Sequence, residues 1–393
     1  MNNGIYLTTD RLLLREFQAA DWKTVHEWDA DPDVVRYLTW DCEHTETAAR
    51  ERVLQQIAQV DQKPRLDYDF VITLQETKRP IGAIDLHLRE DQRSAWVAYR
   101  LYPAFRARGY ATEALRCMLK FGFESLRLHR IKATVNRANI ASCRVLAKRG
   151  MRYEGVERTW DWQDDPVDEA QYALLDREWT SHRTEEAFVP KMRRAEAKPH
   201  MTTRRSPGAG ARLVGQRTAN LVLRAFEEDD WELFHTARFH PVTVSPHHLL
   251  SRTTGLGEHE ARDYVAETIR RWNEQPRVHM AFVVVGSEAQ RSIGAISLDV
   301  SQDHRLGWID YHLHPDFLRT DDAEGAVQEL MRFGFIQAAL HRIGADCWAD
   351  DAIAMQILEQ AGLAQEACYL DVTQRDGTWQ SFLSYAAFQE DYV

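Results

Sequence analysis

Along its first half the chain switches repeatedly between strand-like and helix-like spacing of apolar residues. Residues 5–17 read as a strand that runs into a loop. Asp21 stands where a helix N-cap would, with Trp22, Val25 and His26 near the helix start. A second helical pattern covers residues 45–60, and two apolar runs at 69–74 and 80–88 read as a hairpin. The strand-like run 94–101 stops at Pro103. After it Ala111, Ala114, Leu115, Met118, Leu119 and Phe123 recur at three- and four-residue spacing, the period of an amphipathic helix. Residues 131–135 read as a strand and 143–149 as a helix capped by Gly150. An acidic turn at 163–168 and a last strand at 170–175 complete the half.

The pattern breaks at 180–212, a stretch rich in Arg, Lys, Pro, Ser and Gly with almost no apolar periodicity, which reads as an exposed linker. Beyond it the first half returns. Thr218, Leu221, Leu223, Arg224 and Phe226 stand 209 residues after Thr9, Leu12, Leu14, Arg15 and Phe17, and Asp230-Trp231 repeats Asp21-Trp22 at that offset. After a three-residue insertion the offset holds at 212: Ile293 to Ile296 match Ile81 to Ile84, Trp308 matches Trp96, Phe333-Gly334-Phe335 match Phe121-Gly122-Phe123, and Gly362 matches Gly150. A gapless register of this length means a duplicated domain. With 393 residues the chain suits two domains of ordinary size: 1–180, a linker at 181–211, and 212–393.

The chemistry concentrates after the strand ending at Leu101. Arg106-Ala107-Arg108-Gly109-Tyr110-Ala111 is a short turn between a strand and a helix start. Glycine lets the backbone turn tightly and lets a ligand approach its amides. The helix start offers unpaired N–H groups and a partial positive charge, which together suit a pyrophosphate, with Arg106 and Arg108 adding charge at the rim. Asn139 and Ser142 follow at the next strand-to-helix junction. This order resembles the GNAT superfamily of acetyl-CoA-dependent N-acetyltransferases. Thr9-Asp10-Arg11-Leu12-Leu13-Leu14-Arg15 is similar to the opening of its RimJ/RimL branch, which acetylates protein N-termini and includes antibiotic-modifying relatives. The resemblance covers about residues 5–180. It implies an α/β fold of the α+β type: two tandem GNAT domains, each a mixed, mostly antiparallel central sheet flanked by helices. It also implies that acetyl-CoA is the co-substrate, that backbone N–H groups near Ala98, Tyr99 and Arg100 hold the pantetheine arm and the oxyanion, that Asn139 contacts CoA, and that Ser142 donates a proton to the departing thiolate. An asparagine followed three residues later by a serine is also a common helix-capping arrangement.

The general base departs from the family pattern. Where relatives often carry a strand glutamate this chain has Trp96, with Ala98-Tyr99 in place of Gly-Tyr. Asp85 and His87 on the adjacent strand are the candidates to deprotonate an amine through water, although strand-end polar residues are often merely solvated. Glu113 falls in the first helical turn, where it complements the dipole. In the repeat, Arg106, Arg108 and Gly109 become Leu318, Thr320 and Asp321, Asp322 follows, Asn139 becomes Asp351 and Ser142 becomes Ala354. Two carboxylates where a pyrophosphate would sit make the second domain a silent copy, or a module for a cationic or neutral ligand.

Charge and composition narrow the setting. Residues 211–393 hold 15 Arg, no Lys and 28 acidic residues, a net of −13, which leaves +2 for the remainder. The acidic half steers a cationic substrate or basic partner, or simply aids solubility, and its sign speaks against nucleic acid. Five scattered cysteines without a C-x-x-C fit a reducing cytoplasm, and neither a membrane span nor a secretory leader is legible. His235, His240, His247 and His248 lack the i,i+4 spacing of a metal site, so no metal is expected. The recurrence of Trp22 and Trp96 as Trp231 and Trp308 points to packing. The acceptor is a small-molecule amine or a protein N-terminus, with loops 29–47 and 160–168 beside it. The duplicated halves are expected to pair as an intramolecular pseudo-dimer. The competing reading is a non-catalytic binding or regulatory protein built on the same scaffolds.

Overall fold

A computed structural model describes residues 5–37, 45–160, 166–181, 216–217, 221–236, 240–241, 257–274, 278–286, 292–301, 305–314, 317, 321–375 and 377–392. The chain divides into two compact units, residues 1–194 and 195–393. The expected linker lies, from residue 182 to its end at 211, outside the described residues.

In the first unit β1 (Tyr6–Thr8) and β2 (Leu12–Glu16) precede α1 (Trp22–Asp29), a single turn α2 (Pro32–Val35) and α3 (Glu46–Gln59). Strands β3 (Asp67–Leu74), β4 (Pro80–Leu88) and β5 (Ser94–Leu101) follow as a meander. Then come α4 (Tyr110–Lys120), running on into a π-turn at Phe121–Ser125, β6 (Arg130–Asn136), α5 (Ile140–Lys148), β7 (Arg152–Trp160), β8 (Pro166–Leu175) and α6 (Asp176–Ser181). The sheet runs β1-β2-β3-β4-β5-β6-β8-β7, antiparallel at every step except β5–β6.

Strand alternation splits this sheet into two faces. Leu12, Leu14, Phe70, Ile72, Ile84, Leu86 and Val97 bury one face with Leu115 and Met118 of α4. Val71 and Ala83 bury the other with Val25 and Trp28 of α1 and Ala49 and Val53 of α3. Each such large side chain removed from water stabilises the unit by about 1.5–3 kcal/mol. Gly122 lies where α4 enters its π-turn, and a Cβ there would stand 2.6 Å from Ile131 Cδ1. Its repeat partner Gly334 would meet Ile343 Cδ1 at 2.5 Å, so the Phe-Gly-Phe repeat marks a close helix–sheet approach in both units.

The second unit holds β9 (Gln216–Arg217), β10 (Leu221–Arg224), α7 (Trp231–Thr236), β11 (His240–Pro241), α8 (Glu258–Trp272), β12 (His279–Gly286), β13 (Ser292–Val300) and β14 (Leu306–Leu313). It continues with α9 (Asp321–Ile336), β15 (Arg342–Trp348), α10 (Ala352–Ala361), β16 (Ala364–Arg375), β17 (Thr378–Phe388) and α11 (Gln389–Tyr392). Its order β9-β10-β12-β13-β14-β15-β17-β16 copies the first, with β14–β15 the parallel step and β11 added along β14. Even the irregularities recur: the register shifts after Ile72 and Tyr153 reappear after Val284 and Gln365.

Several local expectations change. Asp21 does not cap α1; it accepts the Gln18 N–H at 2.7 Å and both guanidinium nitrogens of Arg15 at 2.7 Å, because a 3-10 turn at Ala19–Asp21 comes first. The helix read at 143–149 begins at Ile140, because Asn139 is its N-cap. Residues 152–160 form a strand without a clear period in the sequence, and β8 starts inside the expected acidic turn; residues 161–165 lie outside the described ones. Trp96 and Trp308 are not core residues. Trp308 is 37% exposed, and Trp96 stacks on His87 at 5.6 Å. Trp22 and Trp231 do pack, at the edges of the clusters of α1 with α3 and of α7 with α8, and each also carries a guanidinium, from Arg50 at 4.0 Å and Arg262 at 3.7 Å. Among the described residues no helix is long and apolar enough to cross a membrane.

Candidate active site

Strands β5 and β6 stay together for only three pairs, Ser94–Arg130, Ala95–Ile131 and Trp96–Lys132. Beyond these β5 continues along β4 as far as Leu101, and β6 continues along β8 as far as Asn136. A gap therefore opens at Val97. Ser94 O and the Tyr102 N–H both face β4, so alternation turns the amides of Trp96, Ala98 and Arg100 the same way. The amides that face the gap belong to Val97 and Tyr99. Of the three amides expected there, Tyr99's is the one in place, and those of Ala98 and Arg100 are committed to the β4 ladder.

At the end of β5 the chain passes a 3-10 turn, Pro103–Phe105, and reaches α4 through two left-handed residues, Ala107 at φ 60° and Gly109 at φ 81°. The first bond of α4 runs from the Glu113 N–H to Gly109 O at 3.0 Å. The N–H groups of residues 109–112 precede that bond and project from the helix start, the arrangement that binds anions. Arg106 is occupied otherwise: Nε donates to Leu101 O at 3.2 Å and Nη2 to Asp33 O at 2.8 Å, so it ties the turn to α2. Arg108 is exposed, with its guanidinium 5.9 Å from the Phe105 ring, and is the arginine available to a ligand.

On the α4 and α5 side of the sheet, Asn139 Oδ1 accepts the Ser142 N–H at 3.1 Å, which caps α5. Asn139 thus fills the capping role, and its carbonyl is spent on it. Ser142 Oγ lies 2.8 Å from the Tyr99 hydroxyl, which also reaches Ser142 O at 3.2 Å. Burial pushes the Tyr99 phenol well above its ordinary value, so it stays protonated and serves as a donor.

The opposite face carries acids. Cross-strand register places Asp67 opposite His87, Asp69 opposite Asp85, and Asp85 opposite Ala98. His87 Nδ1 lies 2.7 Å from Asp67 Oδ1, and Nε2 points toward Asp69 Oδ1 at 4.0 Å. The Oδ1 atoms of Asp69 and Asp85 are buried and make no hydrogen bond. Burial, then the facing Asp85, raises the Asp69 carboxyl from 3.8 to about 7, with His87 pulling the other way. Burial also raises Asp85, against the lowering charges of Arg100 and His87. Burial disfavours a charged His87, yet the Asp67 hydrogen bond and the charges of Asp85 and Asp69 outweigh it and raise its basicity. Arg100 leans away toward the buried Asp29 at 3.7 Å, which Arg52 also engages. Asp85 and His87 were legible from the sequence, whereas Asp69 and Asp67 were missed. Their signal was the acidic alternation Asp67-Tyr68-Asp69 at the start of β3. Among the described residues Asp69, Asp85 and His87 form the one group with metal-ligand composition, with one donor atom each inside 4.8 Å. His247 and His248 lie outside the described residues.

The second unit keeps the frame but not these side chains. Asp69 and Asp85 become Ala281 and Ser297, and Ser142 becomes Ala354. The Asp67–His87 pair survives with its members exchanged, as His279 Nδ1 at 2.6 Å from Asp299 Oδ1. Helix α9 begins on Asp321 and Asp322, where α4 has Gly109 and Tyr110; Leu318 and Thr320 lie outside the described residues.

A strand pair that splays beside a helix start, present twice in one topology and glycine-led in the first copy, defines an acyltransferase scaffold. The acetyltransferase (GNAT) domain family matches at residues 11–152 and 220–364, and the chain belongs to that family. Its relatives include two from Bacillus subtilis (strain 168). Uncharacterized N-acetyltransferase YnaD is 33% identical over 180 residues, 44% of this chain and 99% of that protein. Uncharacterized N-acetyltransferase YoaA is 32% identical over 172 residues, 43% of this chain and 96% of that protein. A solved acetyltransferase (GNAT family) from Bacillus anthracis, 31% identical, aligns with a TM-score of 0.40 over 44% of this chain and 99% of its own. The protein is thus a tandem GNAT acyltransferase.

Proposed function

We propose that the first unit transfers the acetyl group of acetyl-CoA to a primary amine, a protein N-terminus or a small molecule, and that the second unit is catalytically silent. The observation that carries this reading is the neighbourhood of Ala98 and Tyr99. Asp85, with Asp69 behind it, faces Ala98 on one side of the sheet, and the next residue's hydroxyl meets Ser142 on the other. A proton acceptor and a proton donor therefore flank the gap from opposite faces.

The roles follow from position. The amides of residues 109–112 and Arg108 receive the diphosphate of the co-substrate, and the amides of Val97 and Tyr99 polarise the reacting carbonyl. Acetyl-CoA supplies the activated thioester. An acceptor amine arrives largely as an ammonium, since α-amino groups titrate at ~8 and alkylamines at ~10. Asp85 and Asp69 attract it and take its proton, freeing the lone pair for attack. As the new N–C bond forms and the C–S bond breaks, the Ser142 hydroxyl, backed by Tyr99, protonates the thiolate. Ser142 then regains a proton from the acylated nitrogen's surplus through solvent. The four described free cysteines suit the reducing cytoplasm in which such an enzyme would work.

The test is thiol release from acetyl-CoA by the full chain against N-terminal peptides, aminoglycosides and polyamines. One acceptor class should turn over, EDTA should leave the rate unchanged, and Asp85→Asn should lower kcat by ~10²-fold or more, the worth of a positioned base. No acceptor-dependent thiol release in any class would overturn the proposal.

A further inference from the structure

The duplication supplies an internal control. A polar contact needed for the fold has reason to persist in both units, and one needed for the co-substrate has none in the silent unit. Arg15 grips Asp21 at 2.7 and 2.7 Å, and Arg224 grips Asp230 at 2.7 and 2.6 Å. Arg130 reaches Glu154 at 2.5 Å, as Arg342 reaches Glu366. Asn139 caps α5, as Asp351 caps α10.

The polar cluster around Glu113 does not persist. Glu113 accepts from Thr9 Oγ1 at 2.5 Å, the Arg11 N–H at 3.0 Å, Arg11 Nε at 2.7 Å and Arg11 Nη2 at 2.6 Å. These bonds outweigh burial and hold its carboxyl below the usual range. The same guanidinium donates from Nη1 to the Arg108 carbonyl at 3.1 Å and lies over the Tyr110 ring at 4.5 Å. Its Nη2 would stand 3.4 Å from a Cβ on Gly109. Arg11 therefore touches or flanks all three residues at the heart of the turn. In the second half Asn220 replaces Arg11 and Gly325 replaces Glu113. The latch and the glycine turn are both absent from the second copy, while the Arg15–Asp21 and Arg130–Glu154 pairs recur; Arg65–Glu16 is lost as well, with Ala225 in place of Glu16. Stability does not account for the latch, since an ion pair with a half-exposed arginine contributes only ~0–1 kcal/mol.

We infer that Arg11, locked by Glu113 and Thr9, is a positioning residue for the co-substrate. It pins the Arg108 carbonyl, which sets the direction of the amides that follow, and it places a fixed cation behind the diphosphate. The inference rests on the reading of residues 106–111 as the acetyl-CoA turn, and the experiment separates the two. Full-length wild type, Arg11→Gln, Arg11→Lys, Glu113→Gln and the control Arg50→Gln are compared for CoA affinity by calorimetry, for KM and kcat, and for thermal midpoint. Each is also assayed with acetyl-pantetheine, which lacks the diphosphate. Arg11→Gln and Glu113→Gln should raise the CoA Kd and the acetyl-CoA KM at least fivefold, with kcat at saturation within twofold and folding intact. Their kcat/KM for acetyl-pantetheine should match wild type. Arg11→Lys should recover only part of the loss, since an ammonium cannot span Glu113 and the Arg108 carbonyl together. Unchanged CoA affinity in both Gln variants, or an equal loss with acetyl-pantetheine, overturns the inference. A wild type that binds no CoA overturns the reading beneath it.

Discussion

Asp69 shows how a residue acquires chemistry from its neighbours. A carboxylate on an exposed strand would titrate near 3.8; burial and the facing Asp85 move this one to about 7. The folded state then holds a proton that the unfolded chain releases, so this group's contribution to stability falls as pH rises from about 4 to about 7. Asp69→Asn removes that penalty. It should raise the thermal midpoint at pH 8 and change it less at pH 5, as calorimetry at the two pH values would read. For catalysis the sign is opposite if the pair is the base, as we propose, because only its deprotonated form can accept the acceptor's proton. Wild-type kcat/KM should climb through about pH 7, and the climb should flatten in Asp69→Asn. An equal stability change at both pH values would assign Asp69 no titration. Sequence spacing exposed Asp85 and His87 because two residues apart on a strand share a face. Asp69 joined them only through the β3–β4 register, which spacing along one strand does not contain.

Among the elements, α4 depends on how it begins. Gly109 at φ 81° and ψ 0° lets the helix start immediately after the turn, and an L-residue there costs ~1–2 kcal/mol of backbone strain. Gly109→Ala should therefore lower the thermal midpoint by a few degrees and raise the acetyl-CoA KM, with the acceptor KM unchanged. Gly362 also has positive φ, 101°, with nothing within 4 Å of a Cβ, so Gly362→Ala should cost stability alone. Steady-state kinetics on the two variants checks the contrast. The turn and helix were legible because they are local. The splay of β5 from β6 was not, since it reflects β6 leaving for β8, some 40 residues along the chain.

For the whole molecule, duplication with loss predicts stoichiometry. The full chain should bind one CoA, not two, in calorimetry, and Arg108→Glu should weaken that binding tenfold or more. Thr320→Glu, at the corresponding place in the acidic unit, should leave it unchanged. Two equivalent sites would refute the silence of the second unit. The net of −13 on residues 211–393 is compatible with a long-range pull on a cationic acceptor, which would appear as an acceptor KM that rises with salt.

By itself the sequence determined the duplication, the order of elements, the glycine turn and the loss of that turn in the second copy. These rest on spacing and residue identity along short stretches, where periodicity and backbone preference act directly. The tertiary structure decided which amides face the gap, that Arg106 is spent on carbonyls while Arg108 is available, and that Asp67, Asp69, Asp85 and His87 form one cluster. It also decided that Arg11 and Glu113, 102 residues apart, close over the turn. Such contacts depend on strand register and on which helix packs on which face. Those are set by burial summed over a whole core rather than by any stretch of chain that can be read alone.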